Sequence, residues 1–225
     1  MSASKSLSAL KRFTSCDIGD ALVKLRVPYG GYLHGLKMYS PTHQSGATRV
    51  FGPAYTVQMV DANDTTPPKP ERHFADGIKE GSVVFISQPK GKYSACWGGL
   101  MSTRAKKLGA EGVVIDGCFR DVEEHRGMGF PLFAKASSSL GSNTFTRSAA
   151  LDVPVQFTSP EQPEPLTINP GDIIVGDADG VVVIPPEKID ACREICEERA
   201  RIDELTMEAL LNGEEMGPTI ARLRK

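Results

Sequence analysis

An excess of charge of one sign, long apolar runs and paired metal-binding residues are all missing from this chain. Lys and Arg total 26 against 28 Asp and Glu, giving a formal net charge of −2. The cations are scattered, so no basic stripe exists to follow a phosphate backbone, and nucleic acid is not expected as a ligand. No stretch approaches the ~20 apolar residues of a membrane-crossing helix. The opening MSASKSLSALKRF carries no apolar run of signal-peptide length, so the expected location is cytoplasmic, with no membrane partner. Cysteine is sparse and odd in number: Cys16, Cys96, Cys118, Cys192 and Cys196, with no CxxC spacing. That disfavours a disulfide framework or a zinc site and fits a reducing compartment. Cys192 and Cys196, four apart on an expected helix with no histidine nearby, read as core-filling thiols. The four histidines (His34, His43, His73, His125) form neither HxH nor HExxH, and His125, four residues past Asp121, reads as a surface helix residue in preference to a supporting partner of Asp121. Neither GxGxxG nor GxxxxGKS occurs, which disfavours nucleotide cofactors. Ser137, Ser138 and Ser139 read as a loop or strand end and lack the GxSxG elbow of a serine hydrolase.

What is present is an ordinary globular mixture of 225 residues, 40% apolar, with 22 Gly and 16 Pro for turns. A chain of this size buries roughly 70% of its unfolded surface and needs no staple. With no repeat and no low-complexity linker, a single domain over 1–225 is expected, its core at about 10–205. Thr14, Ser15 and Asp17 offer caps ahead of IGDALVKL, a helix by spacing. Residues 48–60 read as one bent strand or two around Gly52–Pro53, 61–70 as an exposed loop, and ERHFADGIK as a helix. Then SVVFIS, GVVID and PLFAKAS read as buried strands. They alternate with a helix from Gly98–Gly99 to Gly109 (inner face Leu100, Ala105, Leu108) and a short one from Asp121 to Gly127. The alternation predicts an α/β fold with a parallel layer. VPVQF, LTI, DIIVGD and GVVVIP follow as short β segments of a barrel-like or meandering layer. A charged amphipathic helix closes the pattern at 186–211, with Ile189, Cys192, Ile195 or Cys196, Ile202, Leu205 and Leu210 as its stripe.

Two segments carry candidate chemistry. Gly98–Gly99 open a helix directly after a loop leaving a buried strand, where free N–H groups and the helix dipole favour an anion such as a carboxylate. A tight packing turn is an equal reading. The second, DGCFRDVEEHR, gathers Asp116, Arg120, Asp121, Glu123 and Glu124 just after a buried strand, the edge at which α/β layers collect ligands. An arginine fork suits a planar carboxylate, and a neighbouring Asp supplies a hard oxygen suited to Mg²⁺ or Mn²⁺. Here the alternative is a solvated, dipole-favouring helix start. Lys106 and Lys107 read as the exposed face of the 97–109 helix.

Taken together, Gly99, twenty residues, Arg120–Asp121, two residues and Glu124 resemble the Gly-x20-Arg-Asp-x2-Glu/Asp signature of the RraA-like family. That family joins the regulator of ribonuclease activity A with class II 4-hydroxy-4-methyl-2-oxoglutarate aldolases. GGLMSTRAKKLGAEGVVIDGCFRDVEEHR resembles its central block, GDIIVGDADGVVVIPPE a second block and TSCDIGDAL its N-terminal helix; the wording GGLMSTRA is most similar to fungal members. The resemblance implies an α/β sandwich of the phosphohistidine-swivelling type, a central β layer, a long C-terminal helix, and a homotrimer with sites between subunits. It further implies a class II aldolase acting on 4-hydroxy-4-methyl-2-oxoglutarate or 4-carboxy-4-hydroxy-2-oxoadipate, with oxaloacetate decarboxylase activity and a Mg²⁺ or Mn²⁺ cofactor. Gly98, Gly99, Leu100 and Met101 would offer N–H groups to a 2-oxo acid, Arg120 would hold it, and Asp121 would ligate the metal. The bacterial aldolases carry an acid where Gly99 stands; Glu124 is the expected substitute, placed on one helical face with Asp121. A further acid from a neighbour's C-terminal helix would be Glu197, Glu198 or Asp203. The alternative within the same family is a non-catalytic regulator that binds a ribonuclease or helicase.

Overall fold

Val83, Val84, Phe85 and Ile86 in one segment, and Val113, Val114 and Ile115 in another, are almost fully buried on both sides. Strands read this way only when both faces of a sheet are covered. In the computed structural model, which describes residues 3–224, the chain runs through α1 (Ala3–Leu10), α2 (Ser15–Lys24), β1 (Lys37–Ser40) and β2 (Val50–Asp61). It continues with β3 (Val83–Ser87), β4 (Ala95–Trp97), α3 (Gly99–Lys107), β5 (Gly112–Phe119), α4 (Val122–Met128) and β6 (Leu132–Ser137). β7 (Thr146–Leu151), β8 (Val155–Ser159), β9 (Gln162–Ile168), β10 (Ile173–Gly176), β11 (Val181–Ile184), α5 (Ile189–Leu211) and α6 (Met216–Leu223) complete it. The elements fall into two compact units, Gly31–Pro186 and Met1–Gly30 with Glu187–Lys225.

The first unit is built on a sheet ordered β1-β6-β5-β3-β2-β10-β11, with β4 added beside β5 and β7 beside β2. β2, β3, β5 and β6 run parallel, as the strand–helix alternation predicts, while β1, β7, β10 and β11 pair antiparallel. Side chains alternate between two cores. Val83, Phe85, Val114, Phe133 and Phe157 fill one face, and Val84, Ile86, Val113, Ile115, Trp97 and Phe119 the other. The later β segments do not form a separate layer: β10 and β11 extend the main sheet, and only β8–β9 stand apart as a hairpin.

Several elements differ from expectation. ERHFADGIK gives only a short 3-10 turn at Phe74–Gly77. Phe74, Ala75, Gly77 and Ile78 are all buried there, so no single helical face could serve. Tyr55 Oη donates to the Phe74 carbonyl (3.1 Å) and fills the space a side chain at Gly77 would need. β5 runs on past Asp116 to Phe119 instead of turning. Gln88 makes this possible by packing where a Cβ at Gly117 would lie and accepting the Cys118 N–H at 2.9 Å. On α3 the buried residues are Gly99, Ser102 and Ala105, whereas Leu100 is 86% exposed and faces away from the core.

In the helical unit, Thr14 and Asp17 form a reciprocal capping box at α2. α5 buries Cys192 and Cys196, as core-filling thiols should be, along with Ile189, Thr206 and Ala209; Leu205 lies outside that set, 42% exposed. No helix among the described residues is long and apolar enough to cross a membrane.

Candidate active site

Two strand-to-helix turns lie side by side because β4 and β5 run parallel with Trp97 opposite Phe119. One turn leads from Trp97 through Gly98 into α3, the other from Phe119 through Arg120 and Asp121 into α4. The Arg120 N–H donates to the Trp97 carbonyl at 3.0 Å and ties them together. Residues more than twenty positions apart in sequence thus share one edge of the sheet.

The paired glycines are explained by what fills their missing side chains. A Cβ at Gly98 would stand 2.6 Å from Asp121 Oδ2. One at Gly99 would fall on Glu124 Oε2, with Glu124 Cδ at 2.7 Å. Both carboxylates therefore occupy space that only glycine leaves open. Asp121 Oδ2 accepts the Gly99 N–H at 2.9 Å and has Arg120 Nε at 3.5 Å. Asp121 itself sits in the left-handed region (φ 65°, ψ 47°), outside α4, so Asp121 and Glu124 do not share a helical face as expected. They converge because each leans into one of the two glycine gaps. A positive φ at a non-glycine residue is strain of the kind that gathers at functional sites.

The expected carboxylate cradle is narrower than the spacing implied. The Gly99 N–H is committed to Asp121, and the Met101 N–H to the Gly98 carbonyl at 3.1 Å. That leaves the Gly98 and Leu100 N–H groups without a protein acceptor among the described residues. They border a cavity of about 90 Å³ lined by Trp97, Arg120, Asp121, Gly141 and Ser142. Arg120 is 48% exposed, and its Nη1 would lie 3.1 Å from a Cβ at Gly141, so the fork passes over a third side-chain-free position. A second, open cavity of about 390 Å³ shares Arg120 and Asp121 with the first and is lined otherwise by Val122 and Ser137, Ser138 and Ser139. The serine run, unremarkable as sequence, is thus a wall of the site.

His125 is the residue the sequence placed wrongly. It is fully buried, its Nδ1 2.8 Å from Ser102 Oγ and its Nε2 2.7 Å from the Arg120 carbonyl. Burial lowers its pKa below the usual histidine range, partly offset by the bond to that carbonyl and by the nearby Asp121 and Glu124 charges. α4 is a single short helix with one buried residue, too little for periodicity to identify an inner face. Glu123 is exposed and paired with Arg126 at 2.9 Å, while the Glu124 carboxylate has no hydrogen bond or ion pair among the described residues. The acids of α5 are engaged within their own unit: Glu197 by Arg193 and Arg12, Glu198 by Arg201 at 2.8 Å, and Asp203 by Arg224 at 2.5 Å.

No three His, Cys, Asp or Glu residues gather as a closed metal cage among the described residues. The donors that do meet, Asp121 with one oxygen free of protein partners and Glu124, are hard oxygens. They fit a cation that keeps most of its water, as Mg²⁺ and Mn²⁺ do.

Comparison with known proteins agrees with this architecture. An uncharacterized protein of Methanocaldococcus jannaschii is 34% identical over 217 residues, 94% of this chain and 92% of its own length. A Halalkalibacterium halodurans protein provisionally named 4-hydroxy-4-methyl-2-oxoglutarate aldolase is 33% identical over 137 residues; the match covers 61% of this chain and 60% of that protein. The crystal structure of Streptomyces coelicolor RraAS2, described as an unusual member of the RNase ES inhibitor RraA family, shares the fold. Its TM-score is 0.76 at 23% identity, over 91% of this chain and 97% of that one. The family model for RraA-like proteins, described as Aldolase/RraA, matches residues 15–183. With the fold, the glycine pair and the Arg-Asp turn falling inside that match, the chain belongs to the RraA-like family.

Proposed function

We propose that this protein is a divalent-metal-dependent class II lyase that breaks the C3–C4 bond of 4-hydroxy-4-methyl-2-oxoglutarate or 4-carboxy-4-hydroxy-2-oxoadipate and decarboxylates oxaloacetate. The observation that carries the reading is the pair of carboxylates seated in the gaps of Gly98 and Gly99 beside the exposed Arg120 fork. A surface helix start would have no need of two glycines on a neighbouring element shaped to its acids.

The 2-oxo acid lies with its carboxylate toward the Gly98 and Leu100 N–H groups and its keto oxygen toward Arg120. A Mg²⁺ or Mn²⁺ ion held on Asp121 would supply Lewis-acid stabilisation of the charge that develops on the keto oxygen. Glu124 takes the proton of the 4-hydroxyl, directly or through one water. The C3–C4 electron pair becomes the C2=C3 π bond as the keto π pair shifts onto its oxygen, leaving a pyruvate enolate whose oxygen Arg120 neutralises. C4 departs as the carbonyl carbon of the second oxo acid, and the proton held at Glu124 returns to C3 to give pyruvate. Decarboxylation of oxaloacetate leaves the same enolate without needing the proton acceptor. Subunit assembly as a trimer, with Glu197, Glu198 or Asp203 of a neighbour completing the site, belongs to the same proposal.

Pyruvate release from the three substrates, with Mg²⁺, with Mn²⁺ and after EDTA, tests the reading. Turnover should vanish with EDTA and return with either ion. Full activity in a metal-free preparation removes the metal. No pyruvate from any substrate with either ion turns the reading toward a regulator that binds a ribonuclease or helicase.

A further inference from the structure

Three buried side chains form a single line behind Arg120–Asp121. Trp97 Nε1 donates to Ser102 Oγ at 2.7 Å, Ser102 Oγ lies 2.8 Å from His125 Nδ1, and His125 Nε2 lies 2.7 Å from the Arg120 carbonyl. Trp97, Ser102 and His125 are all 1% exposed or less. The directions follow from what each group can do. A carbonyl only accepts, so Nε2 carries the histidine proton; a neutral imidazole then has a bare Nδ1, which must accept from the serine hydroxyl. The serine oxygen, having given its hydrogen away, accepts from an indole that can only donate. One arrangement satisfies every member, and it points toward Arg120.

The carbonyl at the end of this line belongs to the peptide bond that joins Arg120 to Asp121. That carbonyl faces inward onto His125 Nε2, and the peptide enters Asp121 at a left-handed φ of 65°. Its orientation fixes the directions in which both side chains leave the backbone. We infer that His125 is a positioning residue, one that holds the Arg120–Asp121 peptide in its inward orientation through Nε2 and is itself aligned by Ser102 and Trp97. This inference rests on the lyase reading for its consequence in turnover, but not for its geometry.

His125→Gln and His125→Asn separate the two ends of the ring. A Gln amide reaches the position of Nε2 and can still donate to the Arg120 carbonyl, whereas an Asn amide reaches only the position of Nδ1 and meets Ser102 alone. For oxaloacetate with Mg²⁺, the Asn variant should lose about 10- to 100-fold in kcat/KM, the usual cost of removing a supporting hydrogen bond behind a site. The Gln variant should recover most of it, even where both lose similar thermal stability. Equal kcat/KM in the two variants would overturn the assignment. A readout free of turnover is the Asp121 amide resonance, which follows the hydrogen bond to the carbonyl of its own peptide. It should keep its wild-type shift with Gln and move with Asn, and the wild-type ¹⁵N spectrum should show His125 protonated at Nε2. Protonation at Nδ1 instead would overturn the inference, whatever the wild type's activity. An inactive wild type with these signals intact would count against the lyase reading and leave the positioning role standing.

Discussion

A methyl group at residue 99 would land on the Glu124 carboxylate and meet its Cβ at 3.2 Å. Gly99 and Glu124 are therefore one unit, and substitutions at the two positions should not add. Gly99→Ala and Glu124→Gln are each expected to lower kcat/KM for 4-hydroxy-4-methyl-2-oxoglutarate by about 10- to 100-fold, and the double variant little further. Glu123→Gln, about 100° around the helix and paired with Arg126, should stay near wild type. Losses that multiply in the double variant would refute the coupling. The same contact says how a bacterial-type acid could be installed. Gly99→Asp cannot be accommodated while a long side chain remains at 124, but Gly99→Asp with Glu124→Ala frees the space. At this scale the sequence marks Arg120–Asp121 as a charged turn after a buried strand, which is where the structure has them. It favours the surface for His125, whose burial depends on a neighbouring helix that no local pattern describes.

Among elements, those that a cap or a long apolar run defines were legible, and those created by pairing were not. α2 follows from Thr14 and Asp17, whose side chains each bond the other's backbone N–H, at 3.2 and 2.9 Å. Thr14→Ala should cost about 0.5–2 kcal/mol, seen as a lower urea midpoint with an unchanged slope. A midpoint within error of wild type would mean that the helix end is held by something other than its cap. β3, β5 and β6 were readable as apolar runs. β4 is three residues long and exists because Ala95 and Trp97 pair with Cys118 and Phe119; nothing in ACW alone announces a strand. The missed extension of β5 has the same origin, since the side chain that supports it, Gln88, lies 30 positions away from Cys118.

For the whole molecule, the sheet unit contains Gly98–Met101, Arg120, Asp121, Glu124 and His125, while the acids proposed to reach a neighbour lie in the helical unit. Leu100, 86% exposed beside the cavity, and Met207 and Leu211 on α5, 62% and 82% exposed, are apolar groups that closed assembly would cover. Light scattering should give about three times the 24.3 kDa chain mass, and activity should fall on dilution to monomers. A fully active monomer would remove both the trimer and the borrowed acid. The chain also has a single tryptophan, and Trp97 lines the small cavity with its indole held by Ser102. All indole fluorescence from this protein therefore originates beside the proposed site. The protein is its own optical reporter: oxalate, a planar dicarboxylate, should change the emission as it fills the cavity, and Arg120→Lys should shift the midpoint of that titration upward. Calorimetric binding of oxalate with a constant emission spectrum would place the ligand somewhere other than beside Trp97.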